Sequence, residues 1–393
     1  MVHFVEPTKR LIFFLVACFC AAIPAQIAFA QVPDESGIGA GRDVAFVYVS
    51  TRTGTNTQTI EGFTASATGG LTPNNLPLHT DYWGGMASNG QFLFGADGIY
   101  IFSFAIEPGG GLRKVATRNA RHYNGAACGG PSWLFLDRTG TTLYDLDDYG
   151  NQCANNTYQS FSIESTGNLE YVGTTSAASP IFATPLSFLG NNSAGFGATC
   201  YHYSAAVYGL VRASNGSLSL ALTPAPLPSP PSENFYCTFL AAADASNHVA
   251  VSVQQLSESS WLPTGPPQIA VYTGGLSGKL LTKSTYSNMP KVNVNSVYDL
   301  KASPSGKLLA VAGSAGLQIL HFNGAAPVSR YTGLLTTDEV DQMFWDKSNH
   351  LYAISRATSK LYVFTLTPTS VSQAAGSPYS IANLAAIAVV PTI

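Results

Sequence analysis

The chain has 393 residues, only 10% of them charged, and a formal net charge of −3, against about 25% charged residues in ordinary soluble proteins. Its 19 Lys and Arg face 22 Asp and Glu, with no basic cluster beyond Arg113-Lys114 and Arg118 to Arg121. That balance lacks the positive field that nucleic acid or an anionic membrane surface requires, so neither is expected as a partner.

Lys9 and Arg10 precede the apolar run "LIFFLVACFCAAIPAQIAFA", which ends in Ala28-Phe29-Ala30. Residues 1–30 therefore read as a secretory signal peptide, cleaved after Ala30. A lipidation box ending at Cys18 competes, but the residues after it stay apolar instead of forming a polar tether. Cleavage removes Glu6, Lys9 and Arg10 and leaves 17 basic against 21 acidic residues. No later segment approaches the ~20 apolar residues of a membrane span. Residues 31–393 are expected as a single secreted or periplasmic domain, monomeric and without a membrane span. Cys18 and Cys20 leave with the signal. Cys128, Cys153, Cys200 and Cys237 remain as an even set suited to an oxidising compartment. Their spacings match no zinc motif, and neither a metal nor a cofactor is expected.

Along the mature chain one unit recurs. It is an alternating strand with a central aromatic, a turn rich in Gly or Pro, then Leu or Val. Its copies are "IEGFTASATGGL" ending at Leu71, "YIFSFAIEPGGGL" at Leu112, "YQSFSIESTGNL" at Leu169, "VYGLVRASNGSL" at Leu218, "IAVYTGGLSGKL" at Leu280, "LQILHFNGAAPV" at Val328 and "LYVFTLTPTSV" at Val371. Seven copies spaced about 50 residues apart have the period of propeller blades. A second phrase precedes the later copies as a hairpin turn into a strand: "ASNGQFLFGA", "LDRTGTTLYDL", "LGNNSAGFGA", "DASNHVAVSV", "SPSGKLLAVA" and "DKSNHLYAIS". Their Asn-Gly, Thr-Gly, Ser-Gly and Ser-Asn pairs supply the positive φ that tight turns demand. The first blade has "GRDVAFVYVS" but no strand before it, and the tail "LAAIAVVP", Leu384 to Pro391, has no blade of its own. Paired with "VAFVYVS", the tail closes the ring and removes its open edge. The expected fold is all-β, a seven-bladed β-propeller closed by the C-terminal strand. A pair of β-sandwiches accounts for alternating strands but not for seven spaced copies.

In such a ring, the loops between second and third strands and the blade-to-blade connections emerge on one face around the channel. The longest are Asp147 to Ser160, Gln254 to Gln268 and Thr117 to Ser132, and insertions on one face of a repeat protein mark its binding face. That face is expected to carry His79, Asp81, Tyr82, Trp83, Tyr123, Asp147, Asp148, Tyr149, Tyr201, Tyr203, Trp261, Asp338, Glu339 and Asp341. Aromatics interspersed with acids suit a sugar or other small polar ligand, because a ring stacks while polar tips orient; for any single residue, packing of loop against loop is the competing role. Tyr82, Trp83, Tyr123, Asp147, Asp148, Tyr201, Tyr203, Trp261 and Glu339 are the candidate ligand contacts. His122 and His202, in aromatic loops flanked by Gly or Ser, are the candidates for proton transfer, with Arg121 as the neighbouring cation. His248 and His350 fall in "SNH" turns, where a solvated role is expected, and His321 falls in a strand. The same loop placement favours disulfides Cys128–Cys153 and Cys200–Cys237, although four cysteines permit three pairings.

Other motifs fail. "GGLSGKL" has Thr273 where a phosphate loop needs Gly, and Leu280 where it needs Ser or Thr. "DLDDYGN" has Tyr149 at the fifth position of a calcium loop and Asn156 where the closing Glu belongs. No G-x-S-x-G and no H-E-x-x-H occurs.

The phrases "SPSGKLLAVA", "LYVFTLTPTSV" and "GSPYSI" resemble the lactonase-like seven-bladed propellers, the group of 6-phosphogluconolactonase and carboxymuconate-cycle enzymes, and especially its divergent secreted bacterial members. The resemblance spans the mature chain as a repeat pattern and is sharpest in the last two blades. It implies charged and His side chains around the channel that handle a lactone, with Arg118, Arg121, Arg356 and His122 as the counterparts in this chain. Two functions follow: binding of a small polar ligand, such as a carbohydrate, or of a partner protein on the loop-rich face; or, alternatively, hydrolysis of a sugar or carboxylate lactone with His122 or His202 as base and Arg121 at the carbonyl or anion. A passive envelope or matrix module is the third reading.

Overall fold

The computed structural model describes residues 43–392, apart from 55–57, 75–77, 81–84, 98, 121–132, 148–156, 177–183, 202–203, 222–224, 232 and 276. Every regular element among these residues is a β-strand, and no helix among them is long and apolar enough to cross a membrane. The strands form seven antiparallel sheets, each a meander of consecutive strands except blade 1, whose inner strand comes from the other end of the chain. Blades 1 and 7 gain a short fifth strand, Leu78–Thr80 and Tyr379–Ser380.

Blade 6 shows why the sequence folds this way. Its strands run from the axis outward as Val297–Ala302, Leu308–Gly313, Gly316–His321 and Ser329–Thr336. The second is buried throughout. Successive side chains of a strand point to opposite faces, so Leu309 and Val311 pack on Ala250 and Val271 of blade 5. Leu308, Ala310 and Ala312 pack on Met343, Leu351 and Ala353 of blade 7. A strand with a blade on each face reads as a continuous apolar run, which is what "LLAVAG" is. The outer strand has neighbours on one side only, and much of it is exposed.

The turn before that strand is held by Ser303, whose Oγ accepts the Leu308 N–H at 3.1 Å and whose carbonyl accepts the Gly306 N–H at 2.8 Å. Gly306 sits at φ +68°, a conformation glycine adopts without steric cost.

Closure follows the expected pattern. Leu384–Pro391 is the inner strand of blade 1 and pairs antiparallel with Asp43–Arg52, Val389 opposite Val47 and Ala388 opposite Tyr48. Ile387 and Val389 pack on Ile354 and Leu361 of blade 7, while Ala386, Ala388 and Val390 pack on Met86, Leu93 and Phe104 of blade 2. A fully buried aliphatic side chain contributes roughly 1.5–3 kcal/mol, so this strand seals the ring through both faces as well as through its ladder.

One turn departs from expectation. His350 is 1% exposed. Its Nδ1 lies 2.7 Å from Asp346 Oδ2, which also accepts the Tyr352 hydroxyl at 3.0 Å, and its Nε2 is buried without a partner. The space comes from blade 1: a Cβ on Gly69, which sits at φ +79°, would stand 3.2 Å from the imidazole, so only glycine lets that turn close over the ring. A solvated role for His350 is thereby corrected. His248, in the same phrase of blade 5, pairs with Asp244 at 2.7 Å and keeps a 20% exposed side chain.

Candidate functional site

All seven inner strands contribute to a central channel of about 710 Å³. Its upper mouth lies where these strands begin and where the loop-rich connections emerge; its lower mouth lies at the tight turns. At the upper mouth stand Trp133 of blade 3 and Tyr298 of blade 6, 47% and 44% exposed. With them are Glu339 and Asp341, from the connection between blades 6 and 7, and Arg356, from the turn between the second and third strands of blade 7. Lys301 and Phe344 line the wall below, and Arg138 stands at the lower mouth.

Asp341, Arg356, Asp299 and Lys301 are positioned by local contacts. Asp341 accepts the Arg356 backbone N–H at 2.8 Å, with the Arg356 Nε 3.8 Å from its other oxygen. The Arg356 side chain remains 44% exposed, so the pair is loose. Asp299 accepts the Met343 N–H of blade 7 at 2.7 Å and the Leu300 N–H at 2.8 Å. Lys301 Nζ lies 3.5 Å from Asp299 and 5.4 Å from the Phe344 ring centre, a cation held over an aromatic face.

Asp299 belongs to a set of stitches between successive inner strands. Ser187 Oγ accepts the Ala243 N–H at 2.7 Å, and Gln342 Oε1 accepts the Ile387 N–H at 3.1 Å. An inner strand has no neighbour on its channel side, and side chains of the preceding blade satisfy part of that edge.

Outside the channel wall, Asp338 accepts bonds from Lys360 Nζ at 2.8 Å, Thr358 Oγ1 at 3.0 Å and the Tyr362 hydroxyl. The Lys360 and Tyr362 bonds hold its carboxyl below the usual range, and the Asp338 bond raises Lys360. This carboxylate is committed to anchoring the connection that presents Glu339. Glu339 itself is half-buried, lines the channel and has no ionic or hydrogen-bonded partner among the described residues.

The channel therefore brings together carboxylates, three cations and exposed rings. It can pair a charge, hydrogen-bond hydroxyls and stack on an apolar face. Acid and arginine converge there, and no histidine lines it among the described residues. Tyr82, Trp83, Arg121, His122, Tyr123, Asp148, His202, Tyr203, Cys128 and Cys153 lie outside the described residues. Asp147 and Tyr201 end the second strands of blades 3 and 4, on the upper side. Trp261 is in the long loop of blade 5 at φ +62°; its ring packs edge-on against Phe235 with centres 5.2 Å apart, and it does not line the channel. Glu339 does. Sequence reasoning passed over Trp133, Tyr298, Lys301 and Asp299; for Trp133, Tyr298 and Asp299 the available signal was their place in the first residues after a blade-to-blade connection.

The Cys200–Cys237 disulfide is present, with an S–S distance of 2.02 Å. It ties the upper end of Ala194–Tyr201 in blade 4 to the inner strand Asn234–Ala243 of blade 5. Beside it, Thr238 Oγ1 donates to the carbonyls of Thr199 and Ala206.

No family model matches the chain, and no curated protein matches it in sequence. Solved structures do resemble it. A protein from Bacteroides uniformis provisionally named a 6-phosphogluconolactonase superposes with a TM-score of 0.65 at 13% identity, covering 89% of this chain and 100% of its own. The periplasmic gluconolactonase of Pseudomonas aeruginosa superposes with a TM-score of 0.61 at 15% identity, covering 89% of this chain and 100% of its own. A protein from Lactobacillus plantarum gives a TM-score of 0.62 at 14% identity over 88% of this chain and 99% of its own. At such identities the likeness is one of fold: the chain is a seven-bladed β-propeller.

Proposed function

We propose that this propeller, exported and freed of residues 1–30, binds a small polar ligand of the carbohydrate class in the upper half of its channel. The observation that carries this reading is one cavity holding two half-exposed rings, Trp133 and Tyr298, an unpartnered carboxylate, Glu339, and a loosely held Arg356. Rings stack on the apolar face of a sugar while charged tips fix its hydroxyls. Calorimetry against monosaccharides, aldonic acids and their lactones tests it. Binding is expected to weaken about ten-fold, equivalent to 1.4 kcal/mol, in Trp133→Ala. A panel without any binder contradicts it.

The second reading, hydrolysis of a lactone, is favoured by the same convergence of acid and cation and by the name of the Pseudomonas aeruginosa neighbour. Glu339 would take a proton from water as the water oxygen bonds to the acyl carbon, with Arg356 or Lys301 on the carbonyl oxygen. The ring C–O bond then breaks and the proton passes to the leaving alkoxide. His122, His202 and Arg121 stay candidates for the proton transfers and the anion. Base-titration assays of lactone opening on the wild type, Glu339→Gln and His122→Ala decide it: equal or absent turnover in all three removes the enzymatic reading and leaves binding.

A further inference from the structure

The channel charges are ordered along its axis. Asp341 is engaged by Arg356, and Asp299 by two backbone N–H groups and Lys301. Among the described residues, what remains at the upper mouth is one uncompensated carboxylate, Glu339, in the same cavity as the exposed rings of Trp133 of blade 3 and Tyr298 of blade 6. The cations Lys301 and Arg138 lie deeper. Arg138 is fixed through its backbone N–H to Asn192 Oδ1 at 2.9 Å, and its guanidinium has no partner among the described residues.

Among the described charges of the upper mouth Arg356 and Asp341 offset each other and Glu339 leaves a net negative charge, which disfavours an anionic sugar entering from above. An ammonium group meets instead a carboxylate and aromatic faces, both of which attract cations, and the anionic or hydroxylated end of the same molecule would point down toward Lys301. We infer that the channel selects an amine-bearing sugar, with its ammonium on Glu339 and its opposite end toward Lys301. This inference rests on the channel being the ligand site.

The test is calorimetry at 0.15 M salt with D-glucosamine, D-glucose, N-acetyl-D-glucosamine and D-gluconate, on the wild type and Glu339→Gln, with melting curves to confirm that the variant folds. D-glucosamine is expected to bind about ten-fold more tightly than D-glucose or the N-acetyl sugar, a difference of one charge pair of about 1.4 kcal/mol. Glu339→Gln is expected to erase that advantage, so that D-glucosamine and D-glucose bind the variant equally. Equal affinities, a preference for D-gluconate, or an amine preference that survives Glu339→Gln overturns the inference while the channel remains the ligand site. Absence of binding by all four sugars overturns both.

Discussion

Two charged seams, one between blades and one at the end of the last blade, treat their charge in opposite ways. Between blades 3 and 4, Arg212 meets Asp137 at 2.7 Å with side chains 10% and 0% exposed. Asp137 also accepts bonds from the Thr141 N–H at 2.8 Å, Asn192 Nδ2 at 2.9 Å and Thr139 Oγ1 at 3.0 Å. Farther up the same seam the Tyr158 and Tyr208 hydroxyls lie 2.6 Å apart. At the upper end of blade 7, Arg356 and Asp341 stand at 3.8 Å with side chains 44% and 14% exposed. The first seam is closed to solvent, so its charges hold blades together. The second opens on the channel and leaves its cation free to re-pair, which is what a ligand needs and a fold does not.

The largest effect that separates the seams is on stability. Removing one partner of a buried pair leaves the other charged and desolvated, at about 3–5 kcal/mol, whereas an exposed pair contributes about 0–1 kcal/mol. Arg212→Ala is expected to lose stability in that larger range by urea denaturation, and Arg356→Ala to stay within the smaller. A loss of similar size in both variants would erase the distinction.

A smaller effect is on acid stability. Burial would push the Asp137 carboxyl up, but the Asn192 amide, the Thr142 N–H, Arg212 and Thr139 outweigh it and hold the carboxyl below the usual range. A carboxyl lowered in the folded state contributes stability that is complete above its unfolded pKa of about 3.9 and is lost as pH falls through the folded value. Asp338 is lowered as well, by Lys360 and Tyr362, but it is more exposed and water screens its interactions. Between pH 7 and pH 2, Asp137→Asn should therefore flatten the acid limb of the stability curve more than Asp338→Asn does. An identical limb in both variants would contradict the contrast.

The fold was legible because each blade repeats its own instructions: alternating strands, a turn residue at positive φ such as Gly306, and a surplus apolar strand at the end. The site was less legible. Trp133, Tyr298 and Lys301 look like ordinary strand residues, and only the closing of seven inner strands around one axis makes their side chains neighbours. Asp338, Glu339 and Asp341 are legible as residues of the channel face because they lie in a blade-to-blade connection, and such connections emerge there. Phrase alone also failed to separate His248 from His350. In blade 7 a Tyr352 hydroxyl joins the Asp346 carboxylate and Gly69 closes over the ring; in blade 5 the same phrase leaves its histidine partly in solvent.

The central claim is that ligand is held at the channel mouth and not on the long loops. It is tested most directly by calorimetry on Arg356→Ala and Trp261→Ala, with whichever of D-glucose, D-gluconate and D-glucosamine the wild type binds most tightly. The channel account predicts about a ten-fold loss in Arg356→Ala, an unchanged melting temperature there, and wild-type affinity in Trp261→Ala. Full affinity in Arg356→Ala together with loss in Trp261→Ala would move the site to the loops and contradict it.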